Sequence, residues 1–287
     1  MREGVVVCPS LGRPHRLAYF EWGEARAPVV ICVHGLTGSG RDFDELAEAL
    51  VRAGYRVLCP DLVGRGSSQR LADPSAYRLG QYVADLEQLL SALELGDIDW
   101  IGTSLGGLVG MTLAARPAAR VRRLVLNDVG PWVPAGALAR IGEHLGEDPW
   151  FEDLDAASAY LRRVRAGSGR LTDVQWRRMT ERAVRTAQEG GYRLHYDPSL
   201  ALRYRATSLR DLDVWDTWEA LTCPVLVLRG SESDFLLEET TREMARRGPG
   251  ATIVEIEGCG HPPPLMDPAQ FRPIMEWLGP PAGSATA

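Results

Sequence analysis

The chain has 287 residues, 45% of them hydrophobic and 24% charged, enough to bury one α/β core with an insertion or two small domains. Its 32 basic residues, all arginine, against 38 acidic ones give a formal charge of −6, which recruits neither nucleic acid nor an anionic membrane. Val5 to Val7 is too short for a signal-peptide core, and no stretch reaches the roughly 20 apolar residues of a membrane span.

Strand and helix signals alternate along most of the chain. Leu17 to Trp22 and the apolar run Val29 to Val33 read as strands. Asp42 to Ala53 carries Phe43, Leu46, Leu50 and Val51 at helical spacing, and Arg56 to Cys59 is the next strand. Leu79 to Leu93 repeats Val83, Leu86, Leu89, Leu90 and Leu93 on one helical face. Ile98 to Ile101 and Val121 to Leu126 are strands, separated by a small-residue helix over Leu105 to Ala115. Val225 to Leu228, Glu238 to Arg246, Thr252 to Ile256 and Pro268 to Leu278 continue as strand, helix, strand, helix. This alternation predicts a mostly parallel sheet with helices on both faces. Residues 130–220 interrupt it with helical signals alone, around Ala135 to His144, Leu154 to Arg165, Thr172 to Gln188 and Asp216 to Leu221. The expected organisation is a core of residues 1–129 and 221–279, a helical cap over 130–220 and a disordered tail at 280–287. The cap holds five of the eight tryptophans, Trp132, Trp150, Trp176, Trp215 and Trp218, expected mainly to pack it onto the core.

Gly102-Thr103-Ser104-Leu105-Gly106 lies between a strand and a helix and has the G-x-S-x-G form of a nucleophile elbow. Such a turn is so tight that flanking side chains would collide, which glycine avoids. It sets the serine at a helix N-terminus, where free N–H groups favour developing negative charge. A serine hydroxyl needs a base, a carboxylate that orients the base, and oxyanion donors. His261, in Gly-Cys-Gly-His-Pro-Pro-Pro after the last strand, is the expected base. Two acids follow strands. Asp234 is preferred because its loop precedes the histidine loop in chain order; Asp128 is the alternative and Glu232 a weaker rival. The glycine-rich loop His34 to Gly38 follows a buried strand. The backbone N–H groups of Leu36 and Leu105 are therefore the expected oxyanion donors. Thr37, Trp132 and Phe235 are expected in the substrate pocket. The histidines are scattered, and no His/carboxylate cluster has ligand spacing, so neither metal nor cofactor is expected. Cys8, Cys32, Cys59, Cys223 and Cys259 form no C-x-x-C pair, which suits a reducing cytoplasm.

These pieces together resemble the α/β-hydrolase superfamily along nearly the whole chain. His34-Gly-Leu-Thr-Gly-Ser-Gly40 is similar to its oxyanion loop, and Cys59-Pro-Asp-Leu-Val-Gly-Arg-Gly-Ser-Ser68 to its D-x-x-G-x-G-x-S segment. The elbow and Gly-Cys-Gly-His261 resemble the family's nucleophile and histidine loops. Asp234 stands one residue farther from Gly230 than in the family's commonest G-x-x-D form. The resemblance implies a serine hydrolase with the order Ser, Asp, His. Serine at 104 sets the chain apart from haloalkane dehalogenases and epoxide hydrolases, which carry aspartate there. The expected activity is cleavage of small to medium hydrophobic carboxylic esters through an acyl-enzyme, by a monomer or homodimer whose partner is the small-molecule ester. The alternatives are C–C hydrolysis of ring-cleavage products, lactonase or perhydrolase chemistry, and a non-catalytic ligand-binding scaffold. The C–C alternative draws on Arg162, Arg163, Arg177, Arg178 and Arg203 for a carboxylated substrate.

Overall fold

The structure, a computed structural model, describes residues 1–9, 13–202 and 210–281. Residues 282–287 of the expected tail, and Arg203, lie outside the described residues.

Eight strands form the main sheet: β1 (Arg2–Cys8), β2 (His15–Trp22), β3 (Val29–Val33), β4 (Arg56–Pro60), β5 (Ile98–Thr103), β6 (Val121–Asn127), β12 (Val225–Gly230) and β13 (Thr252–Ile256). Their order is β1-β2-β4-β3-β5-β6-β12-β13. β1 and β2 pair antiparallel, as do β2 and β4, and every later pairing is parallel. The central strands are apolar on both faces because both faces are covered. In β3, Ile31 and Val33 enter one hydrophobic cluster while Val30 and Cys32 enter the other. The first cluster packs α2 (Leu79–Ala92) and α3 (Leu105–Ala114) through Leu86, Leu89 and Val109. The second packs α1 (Asp44–Arg52) and the last helix, Pro268–Leu278, through Leu46, Leu50, Phe271 and Ile274. All five cysteines are buried and free, and Cys32 and Cys59 sit in the core as small hydrophobes. No helix among the described residues is long and apolar enough to cross a membrane.

Two departures from the sequence reading concern strands. β1 is an edge strand that sequence reading passed over; Val6 and Cys8 point inward while Val5 and Val7 are half exposed. The segment between β6 and β12 holds not helices alone but five short strands. β7 (Trp132–Val133) pairs with β11 (Leu212–Asp213), and β8 (Trp150–Phe151), β10 (Tyr192–Leu194) and β9 (Val184–Thr186) form a second small sheet. The helix expected over Thr172 to Gln188 is α6 (Asp173–Ala183), opened by a Thr172 capping box. The chain then runs as β9 and turns back at Gly190 and Gly191, whose φ angles of 87° and 68° suit glycine. α4 (Ala135–Gly142), α5 (Leu154–Val164) and α7 (Trp215–Glu219) lie where helices were expected. None of the described residues between 132 and 219 joins the main sheet.

Candidate active site

The elbow lies at the C-terminal end of β5. Ser104 has φ 51° and ψ −115°, a left-handed conformation costly for a residue with a side chain. Close packing holds it there. A Cβ on Gly106 would overlap the Val33 carbonyl, and one on Gly102 would overlap the Gly106 backbone. The Ser104 N–H donates to the Asn127 carbonyl at 3.0 Å, so β6 also braces the turn.

Ser104 Oγ is 3.0 Å from His261 Nε2. His261 Nδ1 is 2.7 Å from Asp128 Oδ2. A carboxylate only accepts, so Nδ1 carries the proton and Nε2 is left to accept from the serine hydroxyl. Ser104 and Asp128 are buried, and the His261 side chain is only 5% exposed. Asp128 also accepts from the Gly230 N–H at 2.8 Å and from Ser233 Oγ at 2.6 Å. The Phe235 ring stacks on the imidazole at 3.8 Å between centroids.

The acid facing His261 is therefore Asp128, and the preference for Asp234 is corrected. Asp234 is half exposed and turned toward the inserted segment, where Arg140 Nε and Nη2 hold its carboxylate at 2.6 and 2.7 Å. Burial pushes the Asp234 pKa up, but the Arg140 hydrogen bonds and charge, with the Asp234 backbone N–H and His261, together outweigh it and the net shift is down. The reason lies in sheet order. β6 stands between β5 and β12, so the end of β6 adjoins the elbow directly. Ser233 occupies the G-x-x-D position after Gly230 and donates to the carboxylate that reaches over from β6. The visible clue was the extra residue between Gly230 and Asp234. Asn127 was not singled out either; its Nδ2 donates to Thr103 Oγ1 at 3.1 Å and the Pro263 carbonyl at 2.9 Å, tying the elbow to the histidine loop.

The loop His34–Gly38 lies against the elbow, with the Gly35 Cα facing the Ser104 Cβ. Leu105 opens α3, so its N–H is among the helix's free first donors. Leu36 borders the cavity, and its carbonyl accepts from Arg65 Nε at 2.8 Å. Arg65 is fully buried; it also donates to the Val63 carbonyl at 2.7 Å and the Tyr82 hydroxyl at 2.9 Å. His34 Nε2 accepts from the Leu62 N–H at 2.9 Å, and burial lowers its pKa to about 3, so it is a neutral brace. Asp61 accepts from the Gly40 and Ser67 N–H groups, both at 2.7 Å, locking the two glycine-rich segments together.

Above Ser104 lies a cavity of about 680 Å³ between the core loops and the inserted segment. Thr37 lines it, Phe235 lies behind the imidazole, and Trp132 does not reach it. No tryptophan among the described residues borders it: Trp176 and Trp218 are buried in packing, as expected for most of the insertion's tryptophans, and Trp150 is half exposed. The apolar wall is Leu36, Ile141, Leu145, Leu161, Val164, Met179, Leu194 and Met266. Arg140, Arg163, Arg165 and Arg182 also border it, of which only Arg163 was among the arginines named from sequence. Arg162, Arg177 and Arg178 instead pair with Asp173, Asp155 and Glu181, and Glu45.

A buried Ser-His-Asp line at the end of a parallel sheet, beneath a cavity closed by an insertion, is the architecture of an α/β hydrolase. The sequence profile of the alpha/beta hydrolase family matches residues 30–274, and the chain belongs to that family. It is similar to the 3-hydroxybutyrate-oligomer hydrolase of Cupriavidus necator, 45% identical over 94% of this chain and 95% of that protein. It is also similar to the 2-(acetamidomethylene)succinate hydrolase of Mesorhizobium japonicum, 27% identical over 82% of this chain and 81% of the relative. Among solved structures, an alpha/beta hydrolase from Novosphingobium aromaticivorans superimposes with TM-score 0.86 at 36% identity, over 96% of this chain and 98% of that one.

Proposed function

We propose that the protein is a serine carboxylic-ester hydrolase acting on short 3-hydroxyalkanoate oligomers through an acyl-enzyme. The observation that carries this reading is the Ser104–His261–Asp128 hydrogen-bonded line under the cavity. Ser104 Oγ attacks the ester carbonyl while His261 Nε2 takes its proton. Asp128 holds the imidazole in the Nδ1–H tautomer and stabilises the imidazolium. The Leu36 and Leu105 N–H groups bind the tetrahedral oxyanion. His261 returns the proton to the departing alkoxide, then activates water for deacylation. Residues 130–220 serve as the cap that screens the reacting ester from solvent.

The substrate class rests on the 45% identical relative and on the cavity, which offers apolar wall for short alkyl units and arginines for an acid end. The test is hydrolysis of 3-hydroxybutyrate dimer and trimer beside p-nitrophenyl butyrate. Wild type should cleave all three and Ser104→Ala none. Ester cleavage undiminished in Ser104→Ala would sink the mechanism, and cleavage of p-nitrophenyl butyrate alone would sink the substrate class.

A further inference from the structure

The four cavity arginines differ in what already holds them. Arg140 is bound by Asp234, and Arg182 by Glu45 at 2.8 and 2.9 Å with Asp44 at 3.3 Å. Arg163 is exposed and lies over the Tyr160 ring at 5.2 Å. Arg165 is half-buried, and no carboxylate among the described residues forms an ion pair with it. Its hydrogen-bond partner is the neutral Thr37 hydroxyl, at a long 3.5 Å.

The position of Arg165 is fixed from two sides. It follows α5 and leads into the turn Ala166–Ser168, whose Gly167 carbonyl accepts from the Gly260 N–H at 2.7 Å. Gly169 packs on Cys259, where a Cβ would meet the sulfur. The backbone of Arg165 is thus docked on the histidine loop, while its guanidinium reaches Thr37 in the loop that lies against Ser104. The side chain crosses the cavity between the two loops that frame the nucleophile. Leu161, Val164 and Tyr196 line the same cavity.

We propose that Arg165 is a specificity-determining residue that binds a free carboxylate on the substrate of this site. The proposal rests on the ester-hydrolase reading and deepens it. A guanidinium offers five donors in a planar fork that matches a carboxylate bidentately, and the Thr37 contact leaves most of them open. Low-dielectric walls strengthen that pair over its value in water. The Asp42 carboxyl, which also borders the cavity, is pushed up by burial and drawn down by Arg165 without forming an ion pair with it. A 3-hydroxyalkanoate dimer places its carboxylate two carbons from the ester oxygen, on the leaving group. Thr37 orients the guanidinium, and Arg165 selects the acid end of an oligomer over neutral esters.

The experiment measures kcat and KM of wild type, Arg165→Gln and Arg165→Lys on 3-hydroxybutyrate dimer, its carboxamide and p-nitrophenyl butyrate. Wild type should favour the acid dimer over the carboxamide. Arg165→Gln should raise KM for the acid dimer on the order of tenfold or more, from loss of a charge-assisted pair. It should leave kcat and both neutral esters within about twofold, and Arg165→Lys should recover part of the loss. Equal losses on acid and carboxamide would make Arg165 a strap between loops and overturn the proposal, as would an unchanged KM for the acid. If wild type cleaves p-nitrophenyl butyrate but not the dimer, 3-acetoxypropanoate against 3-acetoxypropanamide, which keep the acid on the leaving group, puts the same question to Arg165. The substrate class then fails separately from the arginine. If wild type cleaves no ester, both readings fall.

Discussion

Replacing Asp128 and Asp234 one at a time separates the carboxylate that faces His261 from the one the sequence preferred. In Asp128→Asn the remaining oxygen can still accept from the Gly230 N–H, but an NH₂ group now faces His261 and Ser233. His261 Nδ1 cannot keep its proton against another donor, so the proton moves to Nε2, the atom that must accept from Ser104. A wrong tautomer in a Ser-His-Asp site costs about 10⁴ in kcat, or about 5.5 kcal/mol of barrier. Asp234→Asn breaks only a half-exposed pair with Arg140, worth about 0–1 kcal/mol. Steady-state kinetics on p-nitrophenyl butyrate should therefore show kcat falling 10³-fold or more for Asp128→Asn and staying within about threefold for Asp234→Asn. Circular dichroism melts should show that both variants fold. The reverse pattern, with Asp234→Asn inactive and Asp128→Asn near wild type, would refute the assignment.

Gly106→Ala should lose most activity and about 1–3 kcal/mol of stability, because its Cβ would overlap the Val33 carbonyl; near-wild-type kinetics would contradict the packing argument. Arg65→Met should lower kcat on the order of tenfold by releasing the Leu36 carbonyl, a fraction of the cost of removing an oxyanion donor outright, and an unchanged kcat would separate Arg65 from that loop. Acid should destabilise the fold. Burial lowers the His34 and His195 pKa values from 6.5 to about 3, so both stay neutral folded but take up protons unfolded. Each removes about 1.4 kcal/mol per pH unit as pH falls below 6.5. Asp61, pushed by burial from 3.8 to about 6, takes up its proton more readily in the folded chain and offsets about one histidine between pH 6 and 4. Urea unfolding at pH 6, 5 and 4 should then show a net loss near 1.4 kcal/mol per unit, and stability rising toward pH 4 would contradict it.

Most of the core was legible because its signals are local. Val29 to Val33 is apolar on both faces, and the elbow shows as a five-residue motif even though Gly106 answers to the Val33 carbonyl of a neighbouring strand. Ser104 and His261 came from such motifs. Asp128 did not, because its role depends on which strand lies beside which. Chain order put the Asp234 loop nearest the histidine, whereas sheet order puts the end of β6 against the elbow. Strands of two or three residues, such as Trp132–Val133 and Trp150–Phe151, carry no period-two pattern and left no sequence trace. Composition placed most of the insertion's tryptophans in packing, where Trp176 and Trp218 lie, but gave no ground for setting Trp132 at the cavity, which it does not reach. Arg165 could not be told from the solvated arginines around it until the turn that docks it on Gly260 was visible.

The central claim is that Ser104 is the nucleophile activated by His261, and covalent trapping tests it most directly. A fluorophosphonate probe followed by peptide mass spectrometry should place one adduct on Ser104, with none in Ser104→Ala and greatly slowed labelling in His261→Ala. An adduct on another residue, or labelling that persists at full rate in Ser104→Ala, would contradict the account.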